Sequence, residues 1–93
     1  MFAGVEIKTS SDSGTFTIGS SANISCNSYT PTMKMEWLRD KNVVVAFMST
    51  AQQLDLYFNT INDSIHDKVY ICRVTRDENI TVEQNITISV SGE

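Results

Sequence analysis

Short runs of alternating apolar and polar residues, broken by polar turns, recur along the whole chain. Ala22, Ile24 and Cys26 alternate with Asn23 and Ser25; Met33, Met35 and Trp37 alternate with Lys34, Glu36 and Leu38. Leu54, Leu56 and Phe58 alternate with Asp55 and Tyr57. Successive side chains of a strand point to opposite faces, so each run predicts a strand with one face in a core. Val5 and Ile7, then Phe16 and Ile18, predict an opening strand broken by the loop Ser10-Ser11-Asp12-Ser13-Gly14. Arg39-Asp40-Lys41-Asn42 predicts a polar turn ahead of the β-rich run Val43 to Met48. A strand around Cys72 is predicted from Val69 to Thr75. It is followed by a hairpin loop at Arg76-Asp77-Glu78-Asn79 and a closing strand through Ile86, Ile88 and Val90. No apolar stripe at helical spacing persists for three turns, and no internal repeat or linker stands out. The rhythm predicts an all-β fold, a two-sheet antiparallel Greek-key sandwich of about seven to nine strands.

The 93 residues suit one domain, 1–93, with a core from about residue 5 to residue 90. A chain this short buries a modest fraction of its surface, so a covalent constraint would help it. The formal net charge is −4, and the seven Lys and Arg residues form no run. Nucleic acid requires a basic footprint, so it is not expected as a partner, and an anionic membrane surface is disfavoured on the same ground. The longest apolar run, Val43 to Met48, is far short of the ~20 residues of a membrane helix, so direct insertion is not expected. Nothing near Met1 has the pattern of a signal peptide; Met1 reads as a start residue before an excised fragment.

Two cysteines, Cys26 and Cys72, stand 46 positions apart with no CxxC pair and no Cys/His cluster. Metal and redox cofactors therefore have little to bind, and none is expected. The pair is either a structural disulfide or two buried thiols. Four glycosylation sequons favour the disulfide and a secreted or cell-surface setting: Asn23-Ile24-Ser25, Asn62-Asp63-Ser64, Asn79-Ile80-Thr81 and Asn85-Ile86-Thr87.

The alternation gives Cys26, Trp37 and Cys72 the inward phase of their strands, as a bridge across a core about 10 Å thick requires. Trp37 follows Cys26 by eleven residues, enough for the chain to turn and lay an indole against the bridge. Tyr70, two before Cys72, also faces inward, where its hydroxyl could return to the backbone of the preceding corner. These residues, with Gly19, Ile24-Ser25-Cys26, Trp37-Leu38-Arg39, Leu56-Tyr57-Phe58, Ile61 and Tyr70-Ile71-Cys72, resemble the immunoglobulin superfamily. The likeness runs from about Val5 to Val90. The cysteine spacing and the absence of a Phe-Gly-x-Gly bulge resemble the I-set or C2-type, as in cell-adhesion molecules and receptor ectodomains. One departure is clear: where such domains often carry Asp-x-Gly-x-Tyr-x-Cys, His66 and Lys68 fill the Asp and Gly positions, leaving Asp67 to supply any corner salt bridge.

The resemblance implies an extracellular recognition or adhesion module, binding a protein ligand or another copy of itself as a weak homodimer. Other readings are a module of a receptor kinase or phosphatase ectodomain, a secreted soluble binder, or an intracellular filament domain. No enzyme activity is expected. Ser64, His66 and Asp67 have triad residue types but crowd into four positions, which favours a polar corner. Met33 and Met35 are expected in the core beside Trp37. The outward phases of Leu38, Ile71, Arg73 and Glu36 mark a candidate contact face, an apolar centre with a charged rim, with the Arg76–Asn79 loop at its edge. That face is expected to tolerate substitution of Leu38 and Ile71 without unfolding, because neither would be core.

Overall fold

A computed structural model describes residues 4–10, 15–30, 32–76 and 80–91. The described residues form nine strands: β1 (Val5–Thr9), β2 (Thr15–Thr17), β3 (Ala22–Ser28), β4 (Lys34–Arg39), β5 (Val43–Ser49), β6 (Gln53–Phe58), β7 (Val69–Thr75), β8 (Thr81–Thr87) and β9 (Ser89–Ser91). A 3₁₀ turn, Asp63–Ile65, precedes β7. The predicted all-β antiparallel sandwich is the fold observed. One sheet has the order β1-β3-β6, the other β5-β4-β7-β8.

The short strand β2 leaves the first sheet and runs parallel to β9, with Phe16 opposite Val90. β8 and β9 form one path interrupted at Ile88. There the Ile88 N–H donates to the Lys68 carbonyl at 2.9 Å and the Asp67 N–H donates to the Ile88 carbonyl at 2.8 Å. The interruption lets one strand path pair first with β7 and then with β2. Gly19 closes the β2–β3 turn at φ 91°, a left-handed conformation that glycine adopts without a Cβ penalty. Its N–H donates to the Ile61 carbonyl at 2.8 Å, and the Ile61 N–H donates back to the Ser20 carbonyl at 2.7 Å.

The core gathers the inward residues of both sheets: Ile24 and Cys26 of β3, Met35 and Trp37 of β4, Leu54 of β6, and Tyr70, Cys72 and Val74 of β7. Period-two alternation explains most of it, since β3 and β7 bury every second residue.

Three residues depart from the sequence expectation. Met33 is 53% exposed, because β4 begins one residue later and Met33 belongs to the loop that enters it. Leu38 is 1% exposed, so it is not a solvent-facing residue. It is not part of the central core, and its outward phase holds. It is covered on the outer face by same-face neighbours, with Ile71 opposite on β7 and Val44 opposite on β5. Glu36, also assigned to the contact face, is 9% exposed and is covered in the same way.

A bulge in β5 shapes this face. Trp37 is paired with Ala46 but Leu38 with Val44, so Val45 is an extra residue. Val45 and Ala46 both pack toward the core, and the small Ala46 sits opposite the large indole. The extra residue places Val44 and Phe47, three apart in sequence, on the same outer face.

Candidate functional site

The bridge Cys26–Cys72 joins β3 to β7, with the two Cα atoms 6.3 Å apart and both residues fully buried. It closes a loop of 46 residues, worth roughly 4 kcal/mol on a chain-entropy argument. A buried bridge of this kind is typical of proteins that fold in oxidising compartments. Trp37 is opposite Cys72 in the β4–β7 ladder, and its indole Nε1–H donates across the core to the Leu54 carbonyl at 2.9 Å.

Tyr70 is buried and meets Phe58 edge-on, ring centroids 5.4 Å apart at 86°. Among the described residues its hydroxyl makes no hydrogen bond to the preceding corner, so the ring, rather than the hydroxyl, carries the contact. Burial raises its hydroxyl pKa; Asp40 adds to the rise and Arg39 opposes it.

The corner itself departs from the expected pattern. The left-handed residue is Asp67, at φ 64°, so Lys68 in the expected glycine position needs no unusual backbone. Asp67 lies 3.6 Å from His66 Nε2, while Lys68 pairs with Asp40 of the β4–β5 turn, also at 3.6 Å. His66 Nδ1 accepts the Val90 N–H at 2.9 Å, tying the corner to β9. The Ser64 hydroxyl turns to the Asn62 side-chain oxygen, away from His66. Ser64, His66 and Asp67 therefore do not assemble a nucleophile–base pair. No group of three metal-ligating side chains occurs among the described residues.

The outer face of the β5-β4-β7-β8 sheet is the most distinctive surface. Reading across the strands, one row runs Val44, Leu38, Ile71, Asn85, and the next runs Phe47, Glu36, Arg73, Glu83. Val44 is 48% and Phe47 56% exposed. In the second row the Arg73 Nε donates to Glu83 at 2.8 Å, and its Nη1 lies 3.9 Å from the Glu36 Oε1. Lys34 adds a second cation 4.0 Å from that oxygen. Glu36 is thus held by charge without a direct hydrogen bond to Oε1. The four residues assigned from sequence are brought together, but only Ile71 and Arg73 retain partial exposure. Sequence reasoning missed Val44 and Phe47, whose shared face depends on the bulge.

The outer face of the other sheet is mostly polar, with one exposed aromatic ring, Tyr57, opposite Asn23. Gln53 donates to Asp55 at 3.0 Å, and Asn27 donates to the Ser25 hydroxyl at 3.3 Å. The Asp55 carboxyl is held below its usual range, chiefly by Gln53 and then by Ser25, against an opposing effect of burial, with a smaller contribution from Asn23.

Of the sequon asparagines, Asn23 is half-buried on β3, Asn85 is exposed on β8, and Asn62 is exposed ahead of the 3₁₀ turn. Asn79 and the tip of the Arg76–Asn79 loop lie outside the described residues. Among the described residues no helix is long and apolar enough to cross a membrane.

No family model matches the chain, and no curated protein is significantly similar to it.

Proposed function

We propose that the chain is an immunoglobulin-superfamily module of the I-set or C2-type. In this reading it works outside the cell as a non-catalytic recognition or adhesion domain on a protein partner. The observation that carries this is the contrast between the two outer faces. One is a mostly polar, hydrogen-bonded surface of Ser25, Asn27, Gln53 and Asp55, with Tyr57 its one exposed aromatic ring. The other sets Val44, Leu38 and Ile71 beside the charged row Glu36, Arg73, Glu83. An apolar strip bordered by both signs of charge is the usual anatomy of a protein interface. The bridged core and the sequons support an extracellular setting. A glycan on Asn85 would shield the β8 end of the strip, so the contact is centred on β4 and β5.

The test uses domain secreted from a eukaryotic line and displayed in many copies on beads. Multivalency compensates for the weak affinity expected of one small patch. Clustering of the beads, or their binding to cells, lost in a folded Ile71→Asp variant, supports the reading. Equal binding by that folded variant overturns it.

A further inference from the structure

Among the described residues the two larger sheets expose four strand edges, beside the short β2–β9 pair of three residues each, and three of the four carry charge: Glu6 and Lys8 on β1, Asp55 on β6, Glu83 on β8. Charged side chains on an edge oppose pairing with another chain. The fourth edge is β5, with the sequence Val43-Val44-Val45-Ala46-Phe47-Met48-Ser49, free of charge, proline and glycine. Four of its apolar residues are exposed: Val43, Val44, Phe47 and Met48. The nearest described sequon on this sheet, Asn85, is on β8, three strands away, or roughly 14 Å at ordinary strand spacing.

We infer that β5 pairs antiparallel with β5 of a second copy of this chain about a two-fold axis. The axis passes between Val45 and Ala46, joining two four-stranded sheets into one of eight. Self-complementarity singles out a second copy as the occupant of this edge. Because of the bulge, Val44 and Phe47 share the outer face. In this register Val44 of each copy stands opposite Phe47 of the other on that face, and Val43 stands opposite Met48. The chain's net charge of −4 opposes self-association in general, and this is the edge where no charge stands in the way. The contact is a strand pair with few side chains, below the ~1,200 Å² of a standard interface, so it is weak. Its cellular sense rests on the recognition role proposed above, and it deepens that role by naming the partner. The dimer is read in solution, so a monomer overturns this inference and leaves the recognition reading standing.

The test is sedimentation equilibrium of the intact chain from about 10 μM to about 1 mM, the range of weak interfaces. The expected result is a mass rising from 10.4 kDa toward twice that value. Val44→Lys alone and Phe47→Glu alone each hold the chain monomeric. Mixing the two restores a dimer, because the lysine introduced at position 44 of one copy then faces the glutamate introduced at position 47 of the other. A wild-type chain that stays monomeric throughout, or single variants that still dimerise, overturns the edge pairing. A mixture that stays monomeric overturns the register. Amide exchange of wild-type protein provides a readout independent of the variants. Protection across Val43–Ser49 that increases with concentration supports the pairing, and protection independent of concentration overturns it.

Discussion

The Trp37 indole donates its N–H to the Leu54 carbonyl oxygen at 2.9 Å, a hydrogen bond from β4 of one sheet to β6 of the other. It acts beside the disulfide, so the sandwich is joined at its centre by one covalent and one polar link. Replacing Trp37 with Phe shrinks the side chain at the centre of the core and removes the Nε1–H donor that reaches the opposite sheet. The expected loss is about 2–4 kcal/mol, combining the cavity and the lost hydrogen bond. Urea unfolding monitored by far-ultraviolet circular dichroism measures it.

Removing the bridge should be costlier or comparable. Cys26→Ala with Cys72→Ala is expected to lose roughly 2–5 kcal/mol. Peptide mapping without reductant should find the two cysteines joined in folded protein; free thiols there would contradict the structure.

Leu38→Asp should unfold the domain, whereas Ile71→Asp should not. Leu38 is sealed between Val44 and Ile71, and an ionised carboxylate placed there has no partner. Ile71 keeps partial access to water. Thermal melts of the two variants separate the outcomes, and equal melting temperatures would show that Leu38 is not a structural residue.

The β4–β5 turn holds two non-glycine residues at positive φ, Asp40 at 53° and Lys41 at 75°. A left-handed backbone costs an ordinary residue roughly 1–2 kcal/mol, partly offset by the greater entropy glycine loses on folding. Lys41→Gly is therefore expected to stabilise the fold by about 0.5–1 kcal/mol. A lower urea midpoint than wild type would disprove this.

Asp55 sets the direction of an acid dependence. Its folded pKa is depressed, so its contribution is present above the unfolded carboxyl pKa of about 3.9 and is lost as pH falls through the folded value. Tyr70 acts at the other extreme. Its folded pKa is raised, so its contribution is present below the unfolded pKa of about 10 and is lost as pH rises through the folded value. Asp55→Asn should flatten the acid limb and Tyr70→Phe the alkaline limb of a stability–pH curve.

Much of this was legible from period two alone. The inward phases of Cys26, Trp37, Tyr70 and Cys72 follow from counting along single strands. Leu38 shows the limit of that counting. Phase states which side a residue faces but not what lies over it, and cover comes from neighbours on β5 and β7. The bulge at Val45 is equally silent, because an extra residue becomes visible only against its partner strand. The parallel pairing of β2 with β9 joins segments from opposite ends of the chain, and no local signal announces it. At the corner, the departure from Asp-x-Gly at His66 and Lys68 was legible. The compensating left-handed Asp67 and the Lys68–Asp40 pair were not.

The unequal guarding of the strand edges also sets a stoichiometry. Among the described edges of the two larger sheets β5 alone is free of charge, which gives those sheets a valence of one, and a two-fold pairing consumes it. Growth then stops at two copies, because both outer ends of the joined sheet are β8, each bearing Glu83. Glu83 and any glycan on Asn85 thus separate a closed pair from an open-ended filament, and a neutral, β-prone residue at position 83 in a chain without that sequon would raise the valence to two.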